Sequence, residues 1–583
     1  MTIAIKNIAI KYGHYLNAAV VFLIAAFFAH KNYFIQDDAY IAFTYARNFT
    51  EGHGLVWYPG STEYGYTNFL YTLVTGIIMM AGIHPEYISA VFNFSAYILA
   101  LWLVYQITLK STNFRLAGFC AALALATHHT FSAYASGGLE TMVVTVLVLG
   151  FYTSLIFSYV DKSPFRIWQL ALLASAALLT RLDSALLLFP GYIWIAIQSG
   201  VFSSPLKCLS QKGLWVMAGI PTLAVLCLLG WAYSYYGYAL PNTFYAKIPD
   251  GQSMIWLGKS FMLKYFSLHN YIPAYLAGFA ALSMIWLAIR RQWQPLPPLL
   301  CLTMVIAMWL SYVVYIGGGF MEFRLLVPIL PFFIIITTIP IIRIAQHSDS
   351  LQFALHVGLG IVLITLLSSN MIYDRNQKNK GMFGFPGFIE TTHHLDNWIT
   401  APNGWINTGK SLHKLLHHSD HPPVSIATTA VGSLGYYSQL PITDLHGLNS
   451  RAVLNKYKPF EYRPGRHRAP PPPRPGHTII ATDQLLESEG INLNIFHPQT
   501  FCKQGQYYKH FHKKVRVFPY KLHRTIFIPL NKKCFVVADY RKTHPHIEKL
   551  LANGTILDYR KHSAKIRCPR WLCKVTAPRK TTK

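Results

Sequence analysis

Up to about Asn370 this chain is a succession of apolar runs, each about as long as a bilayer is thick. A water-soluble fold does not carry so many runs of that length. The pattern requires a polytopic membrane domain of α-helices, because a helix satisfies its own backbone polar groups in lipid. Beyond Asn370 the sequence turns polar and basic. The stretch of roughly 200 residues that follows is large enough to hold its own core. The expected fold is thus a transmembrane helical domain over 1–373, with a first outer loop over 33–85, and a soluble α/β or α+β domain over 374–583.

Only 13% of the residues are charged, yet Lys and Arg outnumber Asp and Glu by 51 to 23, a net charge of +28. Much of the excess lies in the tail, in clusters such as Lys513, Lys514, Arg516 and Lys532, Lys533. In a soluble protein this would suggest nucleic acid, but no DNA or RNA recognition motif is present. Beside a bilayer, a basic surface meets membrane lipid headgroups or an acidic or phosphorylated glycan. Cys120, Cys208, Cys227 and Cys301 fall in or near apolar segments and read as packing residues. Cys502, Cys534, Cys568 and Cys573 lie in the tail without a CxxC pair, which disfavours zinc and permits disulfides outside the cytoplasm.

Candidate spans are 14–32, 86–109, 114–130, 138–160, 166–181, 184–199, 213–235, 271–289, 297–316, 324–343 and 352–373. The first follows Lys6 and Lys11 and lacks a small-residue cleavage site, so it is retained. The run 68–83 decides between eleven and twelve spans. With eleven, Lys110, Arg115, Lys162, Arg166, Lys207, Lys212, Arg290, Arg291 and Arg343 all face the cytoplasm with the N-terminus. Positive loop charge favours that arrangement. It makes 68–83 a juxtamembrane or re-entrant piece and puts the tail outside.

The same arrangement collects the unusual polar sequences on the outer face. The first is QDDAYIAFTYAR, Gln36 to Arg47. Carboxylates beside lipid are costly and mark function. Asp37 and Asp38 point about 100° apart on a helix, so one acts as general base while the other orients it or holds a divalent cation (Mg, Mn or Ca). The competing reading is that both cap the helix that starts near Ala39. Arg47 either contacts a phosphate or snorkels. Glu63, Tyr66, Thr67 and Asn68 suit sugar stacking and hydroxyl recognition, or form an interfacial aromatic belt with Tyr64. Glu140 follows Gly137 and Gly138 and precedes a span. Arg181 and Asp183 form a local ion pair or face a ligand. Asn242 and Lys247 lie in a long outer loop, where Lys247 is a candidate phosphate contact. Gly317 to Gly319 allow close backbone approach ahead of Glu322 and Arg324, and Arg is suited to a phosphate. In the tail, Asp444 and His446 stand at the edge of a possible site. The segment 468–476 is a stiff proline-rich loop. His393, His394, His413, His417 and His418 lack a metal-site spacing. No Walker motif, dinucleotide loop or nucleophile elbow is present.

The ordered motifs QDDAYIAFTYARNFTEGHGLVWYPG, EYGYTNFLYTL, SGGLETMV, LLTRLDSALL, YYGYALPNTFYAK, GGGFMEFRLLVPILP and DLHGLN run from about Ile35 to Asn449. In them the chain resembles the C-type membrane glycosyltransferases, and most closely the bacterial terminal arabinofuranosyltransferase-like group. The resemblance implies an enzyme of the inner membrane. It would take a sugar from a polyprenyl-phosphate donor and pass it to an envelope glycan or glycolipid acceptor outside the cytoplasm. It also implies an acidic base in the first outer loop, which falls on Asp37 or Asp38, with Asp37 preferred. Thr44 stands where the family usually has Arg, and Gly319 where it often has an acidic residue.

The chemistry expected is a single inverting displacement. A positioned carboxylate takes the proton of the acceptor hydroxyl. Arg324, Lys247, Arg181, Arg47 or a cation on the acidic pair offsets charge on the departing phosphate. A glycolipid transporter that breaks no bond is the alternative, since an apolar groove with cationic headgroup contacts would serve it. A non-catalytic envelope scaffold is a third class.

Overall fold

The structure is a computed structural model. It describes residues 2–200, 212–247, 254–346, 392–459, 479–498, 500–501, 523–531 and 534–558, together with 360, 363, 366–368 and 370–376. The readings placed on Lys207, Cys208, the proline run 468–476, Cys502, Lys513, Lys514, Arg516, Lys532, Lys533, Cys568 and Cys573 lie outside the described residues. So do part of the span expected over 352–373 and the side chains of Lys6, Lys11, Lys247, His393 and His394. The chain divides into two compact units.

The first unit comprises Met1–Gln36, Thr67–Leu240 and Asp250–His394 and is helical. Among the described residues, six of its helices are long and apolar enough to cross a membrane: Pro85–Thr112, Thr141–Val160, Lys212–Tyr236, Ile272–Ile289, Leu296–Tyr315 and Arg324–Ala345. Shorter apolar helices are Asn17–Lys31, Phe69–Met79, Arg115–Ala126, Ile167–Thr180 and Leu182–Gln198. Each span expected between 14 and 343 coincides with helix, though the run 114–130 breaks at Thr127 into two pieces. The helix in the contested run is Phe69–Met79, 11 residues long. It rises about 16 Å, well short of a bilayer core. Polar side chains inside the unit take up carbonyls that lipid would leave bare. Tyr97 donates to the Ala126 carbonyl at 2.6 Å, Tyr152 to that of Leu187 at 2.7 Å, and the Trp309 indole to that of Leu325 at 2.6 Å. Trp102, Trp168, Trp215, Leu223 and Leu282 are exposed, as an apolar surround allows. Lys110 pairs with Asp161 at 2.5 Å, Arg343 donates to the Ser111 carbonyl and Gln346 to that of Thr112, so Lys110 and Arg343 share one end of the unit.

The second unit gathers Asp37–Tyr66, Pro241–Pro249 and Leu395–Lys583. It departs from a simple cut at 373/374, because the helix Asp37–Thr50 and a short stretch near Asn242 belong to it. Its sheet has seven strands. Six run in the order β2 (Ile442–Asp444), β1 (Ile426–Thr428), β5 (Leu493–Phe496), β8 (Phe535–Tyr540), β7 (Arg524–Pro529), β9 (Leu557–Asp558), and β6 (Thr500–Phe501) pairs with β8. β2, β1 and β5 are parallel, and the rest join antiparallel. β3 (Tyr457–Pro459) and β4 (Ile479–Ala481) form a separate antiparallel pair. The parallel strands β1 and β2 need a crossover, and the helix Gly432–Ser438 supplies it. Every residue of β1 and β5 is buried, as strands covered on both faces must be. Ala427, Leu445, Ile480, Leu486, Phe496, Phe527 and Val537 build the core between sheet and helices. The unit is a mixed α/β domain.

Candidate active site

The helix Asp37–Thr50 opens with the acidic pair. Asp37 is buried, and its carboxylate reaches the start of the crossover helix. Oδ1 accepts from the Ser433 backbone N–H at 2.7 Å and from the Ser433 hydroxyl at 2.6 Å, while Oδ2 accepts from the Gly432 N–H at 3.0 Å. These donors are the orphans of a helix N-terminus, and a carboxylate satisfies them well. Gly432 has to be glycine, since a Cβ there would lie 1.9 Å from the Asp37 carbonyl oxygen. Burial pushes the Asp37 carboxyl up to about 6, against the hydrogen bonds that favour its charged form and with help from the charge of Asp38. Asp38 is half-buried. The two acids therefore differ in kind. Asp37 caps a helix that is not its own, a third reading beside the two expected.

Asp444 ends β2 and is buried. It accepts from the backbone N–H groups of His446 at 2.9 Å, Asn449 at 3.1 Å and Leu448. The turn it holds includes Gly447 at φ +75°. Burial pushes its carboxyl up to about 7, opposed by those three bonds, and the Asp38 charge acts in the same direction as burial. Asp38 thus stands within electrostatic reach of two buried carboxyls. His446 is buried, with Nδ1 2.9 Å from the Ile479 carbonyl, a bond it can only donate. Both residues shape the DLHGLN turn.

Glu63 joins three segments. Its Oε2 accepts from Asn242 Nδ2 at 2.9 Å and from the Arg451 N–H at 2.7 Å, and burial raises its carboxyl above the usual range. Asn242 is fully buried in that bond. Tyr66 is 2% exposed and packs on Tyr45 at 4.6 Å and Tyr64 at 5.2 Å. A ring enclosed this way is core, so neither the sugar-stacking nor the belt reading fits Tyr66. Arg47 donates to the Tyr436 carbonyl at 2.6 Å, lies over its ring at 5.0 Å and pairs with Glu51 at 3.8 Å. The phosphate reading of Arg47 gives way to a packing one, because its guanidinium is already held inside the unit. Lys247 closes the short helix Asn242–Lys247.

In the helical unit, Asn68 donates to Glu140 Oε2 at 2.8 Å and accepts from Thr72 at 3.0 Å. Arg181 donates to Glu140 Oε1 at 2.7 Å and to both oxygens of Asp183 at 2.8 and 2.5 Å. A guanidinium between two carboxylates is more than neutralised, so Arg181 is a poor phosphate cation, and Glu140 and Asp183 are tied up with it. Thr67 is half-buried at the edge of this group. Arg324 is also half-buried, and its Nη1 lies 3.5 Å from Gln36 Oε1. Gln36 donates to the Tyr134 hydroxyl at 2.7 Å, and that hydroxyl donates to the Met321 carbonyl at 2.9 Å. Gln36 directly precedes the acidic pair in sequence.

Among the described residues no three His, Cys, Asp or Glu side chains come together as a metal site. Both oxygens of Asp37 already accept hydrogen bonds. Sequence reasoning missed Gly432 and Ser433, as nothing local marks them as partners of Asp37. It also missed His129 and Asp374, for which the signal was a His-His pair (His128, His129) at the end of an apolar run.

A protein-family description, a domain of unknown function (DUF8728), matches residues 403–543, inside the second unit. The comparison with curated proteins gives no match. Three solved structures resemble the chain. The apo oligosaccharyltransferase of Archaeoglobus fulgidus is 11% identical with a TM-score of 0.52, covering 91% of this chain and 75% of that one. AglB, from the same archaeon, in complex with an inhibitory peptide and a dolichol-phosphate, is 10% identical with a TM-score of 0.52 over 91% and 75% of the two chains. ArnT from Cupriavidus metallidurans bound to undecaprenyl phosphate is 13% identical with a TM-score of 0.52 over 91% and 98%. At such identities the likeness bears on fold alone: the chain shares the fold of the oligosaccharyltransferase and ArnT structures.

Proposed function

We propose that this protein transfers a sugar from a polyprenyl-phosphate donor to a glycan or glycolipid acceptor on the outer side of the bacterial inner membrane, with inversion and with Asp38 as general base. The observation that carries the choice of base is the division of labour in the acidic pair. Asp37 is buried and its oxygens hold Gly432 and Ser433, whereas Asp38 is half-buried. The donor class is supported by two structures of this fold, one in complex with a dolichol-phosphate and one bound to undecaprenyl phosphate. The narrower likeness to the arabinofuranosyltransferase-like group remains part of this proposal.

The reaction balances simply. The acceptor O–H loses its proton to the Asp38 carboxylate as its oxygen bonds the anomeric carbon. The bond from that carbon to the phosphate oxygen breaks on the opposite face, and its electron pair leaves with the polyprenyl phosphate. We assign the cation that meets the departing phosphate to Arg324, on the suitability of a guanidinium for a phosphate. The base contributes about a hundredfold or more. The second unit belongs outside the cytoplasm in this reading. Two observations support that side: the positive loops of the eleven-span arrangement and the disulfide at Cys534, a bond that oxidising compartments favour.

The test is to purify Asp37→Asn and Asp38→Asn and to analyse envelope glycans of cells carrying each. Asp38→Asn should lose transfer by about a hundredfold while a thermal melt shows it folded. Asp37→Asn should lose stability first. Full transfer by Asp38→Asn would remove it as the base.

A further inference from the structure

We infer that a chain of charges running from the buried Glu322 and His129 through Asp374 to the exposed Lys31 is a positioning device for Arg324; the inference rests on the reading of Arg324 as the cation that meets the lipid phosphate. The chain lies within the helical unit and has no part in the proton transfer proposed above. Its geometry begins with an unfavourable backbone. Glu322 has φ +35° and Phe323 φ +50°, two successive left-handed residues that are not glycine. Such a conformation persists only where surrounding contacts over-determine it.

Those contacts are present on every side. The Glu322 carboxylate is fully buried. Its Oε1 accepts from the Tyr373 hydroxyl at 2.5 Å and the Thr130 hydroxyl at 3.3 Å, and the carboxylate also accepts from the Thr392 N–H. His129 Nε2 lies 3.7 Å from the same Oε1, and its Nδ1 lies 2.9 Å from Asp374 Oδ1. Asp374 Oδ2 is 2.6 Å from Lys31 Nζ. Two carboxylates therefore alternate with His129 and Lys31. Phe323 is clamped against Phe261 and Tyr265, each at 5.1 Å between ring centres.

Arg324 follows at once. Its backbone N–H bonds the Met321 carbonyl at 2.9 Å, and Met321 also receives the Tyr134 hydroxyl that anchors Gln36. The guanidinium that reaches Gln36 thus closes a ring of bonds whose backbone is twisted into place by Glu322. A long cationic side chain has rotamer freedom to lose when it meets an anion, and a preset loop reduces that cost. Removing charge from Glu322 leaves His129 and Asp374 without their balance, and the loop that carries Arg324 relaxes.

The experiment is a double-mutant cycle on the full-length protein in nanodiscs, with undecaprenyl phosphate as probe and its Kd read by tryptophan fluorescence. Glu322→Gln is nearly isosteric and keeps an acceptor for Tyr373, and His129→Ala removes the link; thermal melts show that each is folded. Arg324→Ala and Glu322→Gln should each weaken binding about tenfold, and the double variant should be no weaker than Arg324→Ala alone. A purely structural role for Glu322 would lower melting temperature without this coupling. If Kd is unchanged in Glu322→Gln and His129→Ala, or if the two losses multiply, the positioning role is wrong while the reading of Arg324 stands. If the wild type does not bind the probe, or Arg324→Ala binds as well as wild type, that reading itself fails and takes the inference with it.

Discussion

At the scale of single residues, two adjacent carboxyls, Asp37 and Asp38, stand in different surroundings. Because burial raises the Asp37 carboxyl to about 6 and the Asp444 carboxyl to about 7, the folded state holds their protons more tightly than the unfolded chain does. Their contribution to stability is complete below the unfolded value near 4 and is lost as pH rises through about 6 and about 7. The melting temperature of the second unit should accordingly fall between pH 4 and 7 by this contribution, and Asp37→Asn should flatten the Asp37 part of the slope. A melt series across that range checks it, and a slope unaltered by Asp37→Asn would count against the burial argument. The sequence displayed the acidic pair openly, through the cost of carboxylates beside lipid. It gave no means of telling the two apart, because the partners of Asp37 lie about four hundred residues further along the chain. The same holds for Arg181, whose neutralisation by Asp183 is local but whose bond to Glu140 is not.

At the scale of elements, glycines mark where the chain passes too close to something for a side chain to fit. Gly318 has φ +73°, and a Cβ there would lie 2.6 Å from the Phe261 Cβ. Gly318→Ala combines a left-handed backbone with a collision, and should cost about 2 kcal/mol or more. A detergent melt against wild type measures it. Gly432→Ala should do comparable harm in the second unit, by driving the crossover helix away from Asp37. The long apolar helices were legible because their length and composition admit one structure in lipid. The strands were not. β1, β2, β3 and β4 have three residues each, too few for alternation to register, and the sheet rests on pairings distant in sequence. The break at Thr127 also escaped notice, since hydropathy runs on through it.

At the scale of the molecule, the second unit is assembled from three separated stretches of chain, Asp37–Tyr66, Pro241–Pro249 and Leu395–Lys583. Residues 395–583 produced alone would lack the helix that Gly432 and Ser433 bind and the Glu63 oxygen that receives Asn242 and Arg451. That fragment should be protease-sensitive and poorly folded, and co-expression with 37–66 should protect it; limited proteolysis of both preparations decides. A basic tail after the last apolar run is visible in sequence, but its debt to the first outer loop is not. Composition shifts only once, near Asn370, whereas the pieces that complete the unit sit between spans. A consequence for descent follows from this interleaving. Recombination that swaps only the carboxy-terminal third between cousins would strand both donors and recipients with mismatched halves. The second unit in this lineage should therefore change by coordinated drift in distant stretches of the gene, and not by trading cassettes.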